Sequence, residues 1–248
     1  MKALVVGGSK GLGAEIALRL LTNGHEVFVI SRSAGTLVER WTGENDNLRM
    51  IYADLSNFDN FTKLIASNPI PFEQFDVVVN CLGGNLGERN FLADYTSYEA
   101  VHWHNFGYVV EINRRCLENM LKRKFGKICN ISSVSAIENH GSPQYGTAKS
   151  ALNAYTKALG RICAEKGVTI FGVMPGALLD DSGYWSRIKE MDHEHFESFR
   201  KTRLPSQKFD SSTSVANLIV FILEQEDSDI YAGSMILVDG GISKTYPQ

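Results

Sequence analysis

Short apolar runs rich in branched side chains alternate along the chain with longer segments in which apolar positions recur every three or four residues. The short runs are predicted strands, and they cover residues 3–6, 27–30, 49–53, 75–80, 126–132, 168–174 and 234–238. Several runs, such as Val77-Val78-Val79, are apolar on both faces. Strands of that kind are typical of a parallel sheet that is covered by helices on both sides, since neither face then meets water.

The longer segments are predicted helices. An apolar stripe over residues 12–21 predicts a first helix that stops near Gly24. Two long helices are expected from about Tyr98 to Lys122 and from about Tyr145 to Lys166, and the serines between Ser211 and Ser214 can cap a last one. The alternation of strand and helix predicts an α/β fold of the Rossmann type, a doubly wound parallel sheet with helices on both faces.

The whole chain, residues 1–248, is predicted to be one domain, because α/β folds of about 250 residues routinely form a single domain. One irregular region, at about 177–209, is rich in charged and aromatic residues. It follows the predicted strand 168–174, and ligands of open α/β sheets bind beyond the carboxyl ends of the strands. We therefore expect this region to be a substrate-loop insertion.

Composition and charge narrow the classes of partner. The formal net charge is −3 and no basic run is longer than Lys122-Arg123-Lys124, so neither nucleic acid nor an anionic membrane surface is an expected partner. The opening apolar run, Met1 to Val6, is too short for a signal-peptide core or a membrane span, which favours a cytoplasmic location. Cysteines at wide, irregular spacing in apolar stretches predict reduced, structural thiols and no metal site. They are Cys81, Cys116, Cys129 and Cys163.

A glycine-rich loop, Gly7-Gly8-Ser9-Lys10-Gly11-Leu12-Gly13, follows the first predicted strand and leads into the first helix. Glycines allow a sharp turn and a close backbone approach to a phosphate, whose charge is stabilised at the helix N-terminus. Because the loop lies on a strand-loop-helix unit at the start of an alternating chain, it favours a dinucleotide site over an ordinary turn. The expected contacts are Gly7, Ser9, Lys10, Gly11, Leu12 and Gly13.

The end of the second predicted strand bears on the choice of dinucleotide. It carries Ser31 and Arg32 and no carboxylate, whereas an NAD enzyme needs an acidic residue there for the ribose hydroxyls. Arg32, together with Lys10, could bind the 2′-phosphate that distinguishes NADP(H) from NAD(H), so NADP(H) is the expected cofactor. The alternative is that both cations are solvated surface charges.

Tyr145 and Lys149 are spaced one helical turn apart in the predicted helix, so their side chains share a face. Free tyrosine has a pKa of about 10, and a neighbouring cation favours the phenolate, which brings the group closer to the working range of a general acid or base. Upstream, Asn130-Ile131-Ser132-Ser133 ends a predicted strand. A serine hydroxyl at that place could hydrogen-bond a substrate oxygen.

With the glycine loop, the strand-end serine and the Tyr-x-x-x-Lys pair in this order, the chain resembles the short-chain dehydrogenase/reductase family over nearly its whole length. The resemblance implies that Asp54, followed by Leu55, contacts adenine. It also implies that Asn80 and Gly83 retain the two ends of the family's Asn-Asn-Ala-Gly motif near the adenine ribose, although both middle positions differ here.

The same resemblance extends to the loop after the sixth predicted strand. Pro175-Gly176 matches the family's loop over the nicotinamide amide. The threonine that usually follows a few residues later is replaced in Ala177-Leu178-Leu179-Asp180. A backbone amide is expected to serve instead.

The resemblance also selects between paired candidates for catalysis. Ser133, rather than Ser132, corresponds to the family's catalytic serine. Asn105 and Asn113 are both candidates for its catalytic asparagine. We expect Asn105, because the segment from Leu117 to Met120 then follows at the family's spacing, and we expect Asn113 to be a surface helix residue.

What the resemblance implies is reduction of a carbonyl with NADPH, or the reverse oxidation of an alcohol. Tyr145 would donate the proton while Ser133 holds the substrate oxygen. Lys149 would lower the tyrosine pKa and bind the nicotinamide ribose, and Asn105 would support a water relay. The alternative from another class is a dinucleotide-binding regulator or scaffold without turnover.

The sequence leaves more than one class of small-molecule substrate open. A 3-oxoacyl thioester and a keto-sugar or polyol are both compatible substrates. Basic and aromatic residues of 180–203 could line a site for a polar or anionic substrate, although most are expected on the solvated face of a lid helix. His140 could also touch substrate but is expected to be a loop residue.

Family members usually pair through two long helices, here about 98–122 and 145–166, which implies a homodimer or homotetramer.

Overall fold

The sheet of the protein is built from the predicted apolar runs. The computed structural model describes residues 1–43, 45–67, 70–138, 141–181 and 183–245, and His140 lies outside them. The strands are β1 Lys2–Val6, β2 Glu26–Ser31, β3 Leu48–Tyr52, β4 Val77–Asn80, β5 Gly126–Ile131, β6 Val168–Pro175 and β7 Met235–Val238. Each overlaps one predicted strand, so the strand predictions are confirmed.

The strands are parallel and lie in the order β3-β2-β1-β4-β5-β6-β7. The chain winds outward from β1 to β3 and then crosses back to place β4 on the other side of β1. At this reversal the helices that follow β1 and β4 pack on opposite faces of the sheet. In open α/β sheets, ligands bind above the carboxyl ends of the strands at such a point, and we refer to this place between β1 and β4 as the crevice. The predicted doubly wound parallel sheet of the Rossmann type is confirmed.

Helices connect the strands. Within the described residues they are α1 Gly11–Thr22, α2 Gly35–Arg40, α3 Phe58–Ser67, α4 Tyr95–His102, α5 Tyr108–Arg123, α6 Pro143–Ala164, α7 Tyr184–Met191, α8 His193–Arg203 and α9 Ser212–Glu224. A π-helical turn, Trp103–Gly107, joins α4 to α5, so the predicted helix 98–122 contains a wider turn near its middle. None of the helices in these ranges is both long enough and apolar enough to cross a membrane.

Two apolar cores lie on the two faces of the sheet, because alternate residues of each strand point in opposite directions. Val5 and Val29 belong to the core beneath α1 and α9. Leu4 and Ile30 belong to the other core, beneath α3, α5 and α6. Since both faces are covered, β4 is buried at every position, which explains its uninterrupted apolar sequence.

The helices α7 and α8, which follow β6, close over an aromatic cluster of their own. The ring centroids of Trp185 and Phe199 are 4.0 Å apart, and those of Phe196 and Phe209 are 4.5 Å apart. The expectation of a solvated helix face is wrong for Trp185, because α7 and α8 fold back on each other and half-bury its ring.

Lys127 is a charged residue inside the apolar strand β5 and is only 7% exposed. Its Nζ donates hydrogen bonds to the carbonyl oxygen of Leu223, at 2.9 Å, and to that of Gln225. Both carbonyls lie at the C-terminal end of α9, where the last carbonyl groups have no partner within the helix. The ammonium therefore ties α9 to the sheet.

We expect Lys127→Met to lower the free energy of unfolding by about 1–3 kcal/mol, because the buried carbonyl oxygens lose their donor while the aliphatic stem is kept. Urea unfolding measures the change. Lys63→Met on the exposed side of α3 is the matched control, for which we expect nearly wild-type stability. Equal stability losses in the two variants, or none in Lys127→Met, would contradict the prediction.

Candidate active site

The candidate site lies in the crevice above β1 and β4, where the loops that follow the two strands touch. The Cys81 N–H donates to the Val6 carbonyl oxygen at 2.9 Å, and a Cβ on Gly7 would lie 2.7 Å from the backbone nitrogen of Leu82. Gly7 also has a φ of +81°. Glycine is required at this position both for the backbone angle and for the space between the loops.

The rest of the glycine loop packs against the start of α1. A Cβ on Gly13 would lie 2.2 Å from the Gly7 carbonyl oxygen, so this close approach of helix and loop needs glycine. The side chains of Ser9 and Leu12 are buried, whereas Lys10 is exposed. Lys10 is the N-cap of α1, and its side chain makes no capping hydrogen bond. The first N–H groups of a helix have no partner within it, and the helix dipole favours an anion there.

Two cations stand on the rim of the crevice beside this loop. A Cβ on Gly35 would lie 2.3 Å from the Ser9 carbonyl oxygen and 2.8 Å from Cγ of Lys10, so the segment after β2 turns back onto the glycine loop. Arg32 is exposed within that turn, and the hydroxyl of Ser31 forms hydrogen bonds inside it. The structure thus brings Arg32 and Lys10 to the same edge of the crevice.

Asp54 and Leu55 follow β3 at the same end of the sheet. The exposed carboxylate of Asp54 accepts hydrogen bonds from the N–H and the hydroxyl of Ser56, both at 3.0 Å. Leu55 is buried, and its carbonyl oxygen accepts a hydrogen bond from Nε1 of Trp103 at 3.0 Å. Leu55 therefore anchors this loop to the π-helical turn, and a local turn holds Asp54.

Tyr145, Lys149 and Ser133 meet at the carboxyl end of β5. Helix α6 begins after the N-cap Ser142, so Tyr145 lies in its first turn and Lys149 one turn later. Ser133 lies two residues beyond β5, and its hydroxyl is near enough to Tyr145 to lower the pKa of the phenol. Nζ of Lys149 lies 5.7 Å from the Tyr145 ring centroid and donates to the Ile131 carbonyl oxygen at 2.8 Å.

Burial dominates the protonation of this group. It raises the pKa of Tyr145, while the hydrogen bond with Ser133 acts in the opposite direction. It lowers the pKa of Lys149 to about 8. The pKa of Tyr145 thus moves in the direction opposite to the one expected from a neighbouring cation, because burial outweighs the effects that oppose it.

The two serines after β5 have different partners. The Ser132 hydroxyl donates to Oδ1 of Asn153 at 2.5 Å and approaches the Lys149 carbonyl oxygen at 3.3 Å. Ser133 is the one whose hydroxyl affects the pKa of Tyr145. The second serine is therefore the one that reaches the phenol.

Asn105 lies in the π-helical turn between α4 and α5 and is fully buried. Its Nδ2 donates to the Val101 carbonyl oxygen at 2.8 Å, which is the acceptor that the Asn105 N–H would use in a regular α-helix. The same amide donates to the Gly84 carbonyl oxygen at 2.8 Å and accepts from the Gly84 N–H at 3.0 Å. The helix widens at this point, and the side chain binds the loop after β4.

Gly83 lies where Asn105 and Lys149 meet. A Cβ on Gly83 would lie 2.8 Å from Oδ1 of Asn105 and 3.0 Å from Nζ of Lys149. Both atoms are the ends of side chains, so an added methyl group would push them aside rather than disrupt the backbone. The structure therefore brings the predicted catalytic residues Asn105, Ser133, Tyr145 and Lys149 into one site with Gly83.

Asn80 and Asn113 form a buried polar pair behind this site. Nδ2 of Asn80 donates to Oδ1 of Asn113 and to Oδ1 of Asn130, each at 2.9 Å. Asn113 is fully buried, so the expectation that it is a surface residue is wrong. The reason is that Asn80 and Asn130 are register partners on adjacent strands and Asn113 of α5 meets their side chains in the core. The Asn80 side chain is committed to this network, and a cofactor contact there would come from its backbone.

Pro175 ends β6, and the loop that follows reaches the start of α1. The Gly176 N–H donates to the Val238 carbonyl oxygen at 3.0 Å, which fixes the beginning of the loop against β7. Gly11, the first residue of α1, has a φ of +53°, and a Cβ there would lie 2.8 Å from the carboxylate of Asp180. Gly176 thus lies at the start of the loop after β6, and Gly11 of α1 lies against Asp180, farther along that loop.

The sequence prediction missed two buried polar residues, His104 and Gln144. Burial, followed by the charges of Lys149 and Arg32, lowers the pKa of His104 to about 4. Nε2 of Gln144 donates to the Asn90 carbonyl oxygen at 2.9 Å and so ties α6 to the loop after β4. His104 directly precedes Asn105, and Gln144 directly precedes Tyr145. Their places next to predicted catalytic residues are the sequence signal by which they could have been identified.

Comparison with known proteins identifies the family. The family model described as short chain dehydrogenase matches residues 1–190. The chain belongs to the short-chain dehydrogenase family. The 7alpha-hydroxysteroid dehydrogenase of Paraclostridium sordellii is 27% identical to the present chain, and the alignment covers 99% of this chain and 93% of that dehydrogenase. The acetoacetyl-CoA reductase of Allochromatium vinosum is 27% identical over 97% of each chain.

Solved structures of similar proteins share the fold. L-sorbose reductase from Gluconobacter frateurii, complexed with NADPH and L-sorbose, has a TM-score of 0.85 at 23% identity and covers 99% of this chain and 97% of its own. ElxO with NADP bound has a TM-score of 0.84 at 26% identity and covers 97% of this chain and 98% of its own. The protein is thus a member of an oxidoreductase family whose enzymes act on small molecules.

In this short-chain dehydrogenase family member, we expect Gly83→Ala to keep the fold and to lower turnover about a hundredfold, because the methyl group displaces Asn105 and Lys149 by an ångström-scale shift. Turnover is measured as NADPH oxidation with a reducible carbonyl, and the unfolding midpoint is the control for the fold. Wild-type turnover would show that the site tolerates the shift. A large drop in the midpoint would show that the glycine serves the fold instead.

Proposed function

We propose that this protein is an NADP(H)-dependent oxidoreductase that reduces a carbonyl group to an alcohol, or catalyses the reverse reaction. The observation that carries the proposal is the position of Lys149, whose Nζ lies 5.7 Å from the Tyr145 ring centroid and next to Gly83. Ser133 lies near enough to the same phenol to affect its pKa. A hydroxyl, a phenol and an ammonium then converge where a substrate oxygen can be held and given a proton. The family membership and the reductases among the full-length relatives support the proposal.

The residues of the crevice fit NADP(H). Pyrophosphate is the kind of anion that binds at a helix N-terminus, and in the described chain the start of α1 has no side-chain cap. Arg32 and Lys10 would hold the 2′-phosphate from their common edge. No carboxylate ends β2, so the residue that favours NAD is missing from the sequence. ElxO, a neighbour at 26% identity, has NADP bound, which supports the choice.

The remaining predicted contacts fall along the same crevice. Asp54 and Leu55 would lie against adenine, and Gly83 would lie near its ribose. Tyr145 and Lys149 would bind the nicotinamide ribose. The loop that begins at Pro175-Gly176 would cover the nicotinamide amide.

Ser133 and Tyr145 would act on the substrate oxygen directly. Bound NADPH would supply the hydride to the carbonyl carbon. The Ser133 hydroxyl would hold the carbonyl oxygen while the Tyr145 hydroxyl donates a proton to it as negative charge develops. Because burial raises the pKa of Tyr145, the phenol is protonated at neutral pH, which is the form that reduction requires.

Lys149 and Asn105 would support the proton donor. With a pKa of about 8, Lys149 is mainly protonated at pH 7, and its charge would stabilise the phenolate that remains after proton transfer. Asn105 would hold the loop after β4 in place beside the Lys149 ammonium, and it would support a water relay to that ammonium.

The substrate would enter beneath the contact between the loop after β4 and α7. There Nη2 of Arg89 donates to the Tyr184 hydroxyl at 3.2 Å, and the guanidinium lies over the tyrosine ring. A 3-oxoacyl thioester and a keto-sugar or polyol are the two candidate classes. The homodimer or homotetramer, the cytoplasmic location and the single domain of residues 1–248 stay predictions.

We expect wild-type protein to oxidise NADPH in the presence of at least one carbonyl from a panel of acetoacetyl-CoA, L-sorbose and simple diketones. Tyr145→Phe should lower that rate by about a thousandfold, because the proton donor is lost. Its NADPH affinity, measured by fluorescence titration, should stay within a few-fold of wild type. Tyr52→Phe, at a position that is 61% exposed, is the matched control. Tight NADPH binding by wild type without turnover of any carbonyl would favour a regulator or scaffold.

For the cofactor preference, we expect Arg32→Ala to weaken NADPH binding about tenfold or more and to leave NADH binding unchanged, since a charge-assisted contact to the 2′-phosphate is lost. Fluorescence titration of both dinucleotides measures this. Arg19→Ala removes the same charge from the exposed far end of α1 and should change neither affinity. If wild type binds NADH as tightly as NADPH, the assignment of Arg32 and Lys10 is wrong.

A further inference from the structure

Asp180 places a carboxylate against the start of α1. A Cβ on Gly11 would lie 2.8 Å from its Oδ2, and a Cβ on Gly183 would lie 2.8 Å from its Oδ1. The Ser212 hydroxyl donates to Oδ2 at 3.1 Å, and the Ser186 hydroxyl donates to the Asp180 carbonyl oxygen. The side chain is thus held between the first residues of α1 and α9, and its backbone is bonded to the first turn of α7.

This position is the positive end of α1. The first turn of the helix carries no acidic residue of its own, and the side chain of its N-cap, Lys10, makes no capping hydrogen bond. The Asp180 carboxylate, which lies against Gly11, therefore brings a negative charge to this end of the helix. Gly11 is the last glycine before Leu12 in the glycine loop, so the carboxylate stands at the loop that is expected to bind the cofactor phosphates. Its charge also acts on Cys81, whose pKa burial raises to about 12 although Lys149 opposes the shift.

We propose that Asp180 sets the affinity of this crevice for its dinucleotide, because its carboxylate competes with the cofactor pyrophosphate for the N-terminal end of α1. The inference rests on the proposed dinucleotide site. Two anions that share one helix N-terminus repel each other, so the pyrophosphate must displace the carboxylate or bind against its charge. The threonine common in the resembling family would bring no charge to this loop, so Asp180 adds a negative charge where that residue would add none.

The test compares Asp180→Asn with Asp181→Asn. Both variants remove one negative charge, and asparagine keeps an oxygen that can accept from Ser212. Asp181 is the adjacent, exposed residue and serves as the matched control. Each protein is titrated by fluorescence with NADPH and by calorimetry with adenosine 2′-phosphate, which carries the 2′-phosphate but no pyrophosphate. The NADPH titrations are repeated at low and high salt.

We expect Asp180→Asn to bind NADPH roughly tenfold more tightly than wild type at low salt, and the gain to shrink as salt screens the charges. Adenosine 2′-phosphate should bind both proteins equally, because it does not reach the start of α1. Asp181→Asn should behave as wild type with both ligands. A merely structural role of Asp180 would not produce this difference between the two ligands.

Equal NADPH affinity of wild type and Asp180→Asn would overturn the inference and leave the proposed function standing. Weaker binding by Asp180→Asn would also overturn it, and would make the carboxylate a ligand of the cofactor. A gain of the same size with adenosine 2′-phosphate would assign the effect to the fold of the crevice rather than to the pyrophosphate. If wild type binds no NADPH at all, the proposed function fails, and the inference fails with it.

Discussion

The hydrogen bonds of Asn105 hold together parts of the site that come from different elements. Its Nδ2 takes a helix carbonyl oxygen that a backbone N–H would otherwise use, and the helix widens into a π turn to allow it. The same amide group binds both the N–H and the carbonyl of Gly84, so the loop after β4 cannot move independently of the helix. Gly83 fills the remaining space up to Lys149. The Asn105 amide and the Ile131 carbonyl oxygen, which accepts from Nζ, therefore define the place of the ammonium from two sides.

Burial gives this ammonium its chemical character. A buried charge is costly unless it is paired, and the pKa of Lys149 falls to about 8 as a result. Its hydrogen-bond partner is the carbonyl oxygen of Ile131, a neutral dipole rather than a carboxylate. The positive charge is thus held in position without being neutralised by an acid. Under the proposed function this charge would stabilise a phenolate on Tyr145, whose own burial raises the pKa of the phenol and so keeps it protonated before the reaction.

The parts of the molecule that could be predicted from sequence depend on short-range constraints. Buried parallel strands must be apolar on both faces, and the loop after β1 needs glycine at Gly7 and Gly13. The position of Asn113 depends on a partner instead. Helical periodicity places a polar residue at the surface, whereas Asn80, which lies 33 residues away in the chain, holds it in the core. The direction of the Tyr145 pKa shift likewise depends on how deeply the phenol is buried. The Tyr-x-x-x-Lys spacing gives no information about that burial.

The crevice combines cations at its rim with a carboxylate at its centre, and this balance suits an enzyme that must release its cofactor in every turnover. Under the proposed function, Arg32 and Lys10 would attract an anionic dinucleotide, but the tightest possible binding would slow its departure, and product release limits many enzymes. Asp180 would oppose that attraction at the pyrophosphate. The Ser186 hydroxyl donates to the Asp180 carbonyl oxygen, and the Ser212 hydroxyl donates to the Asp180 carboxylate. The position of this carboxylate at the start of α1 therefore depends on its attachments to α7 and α9.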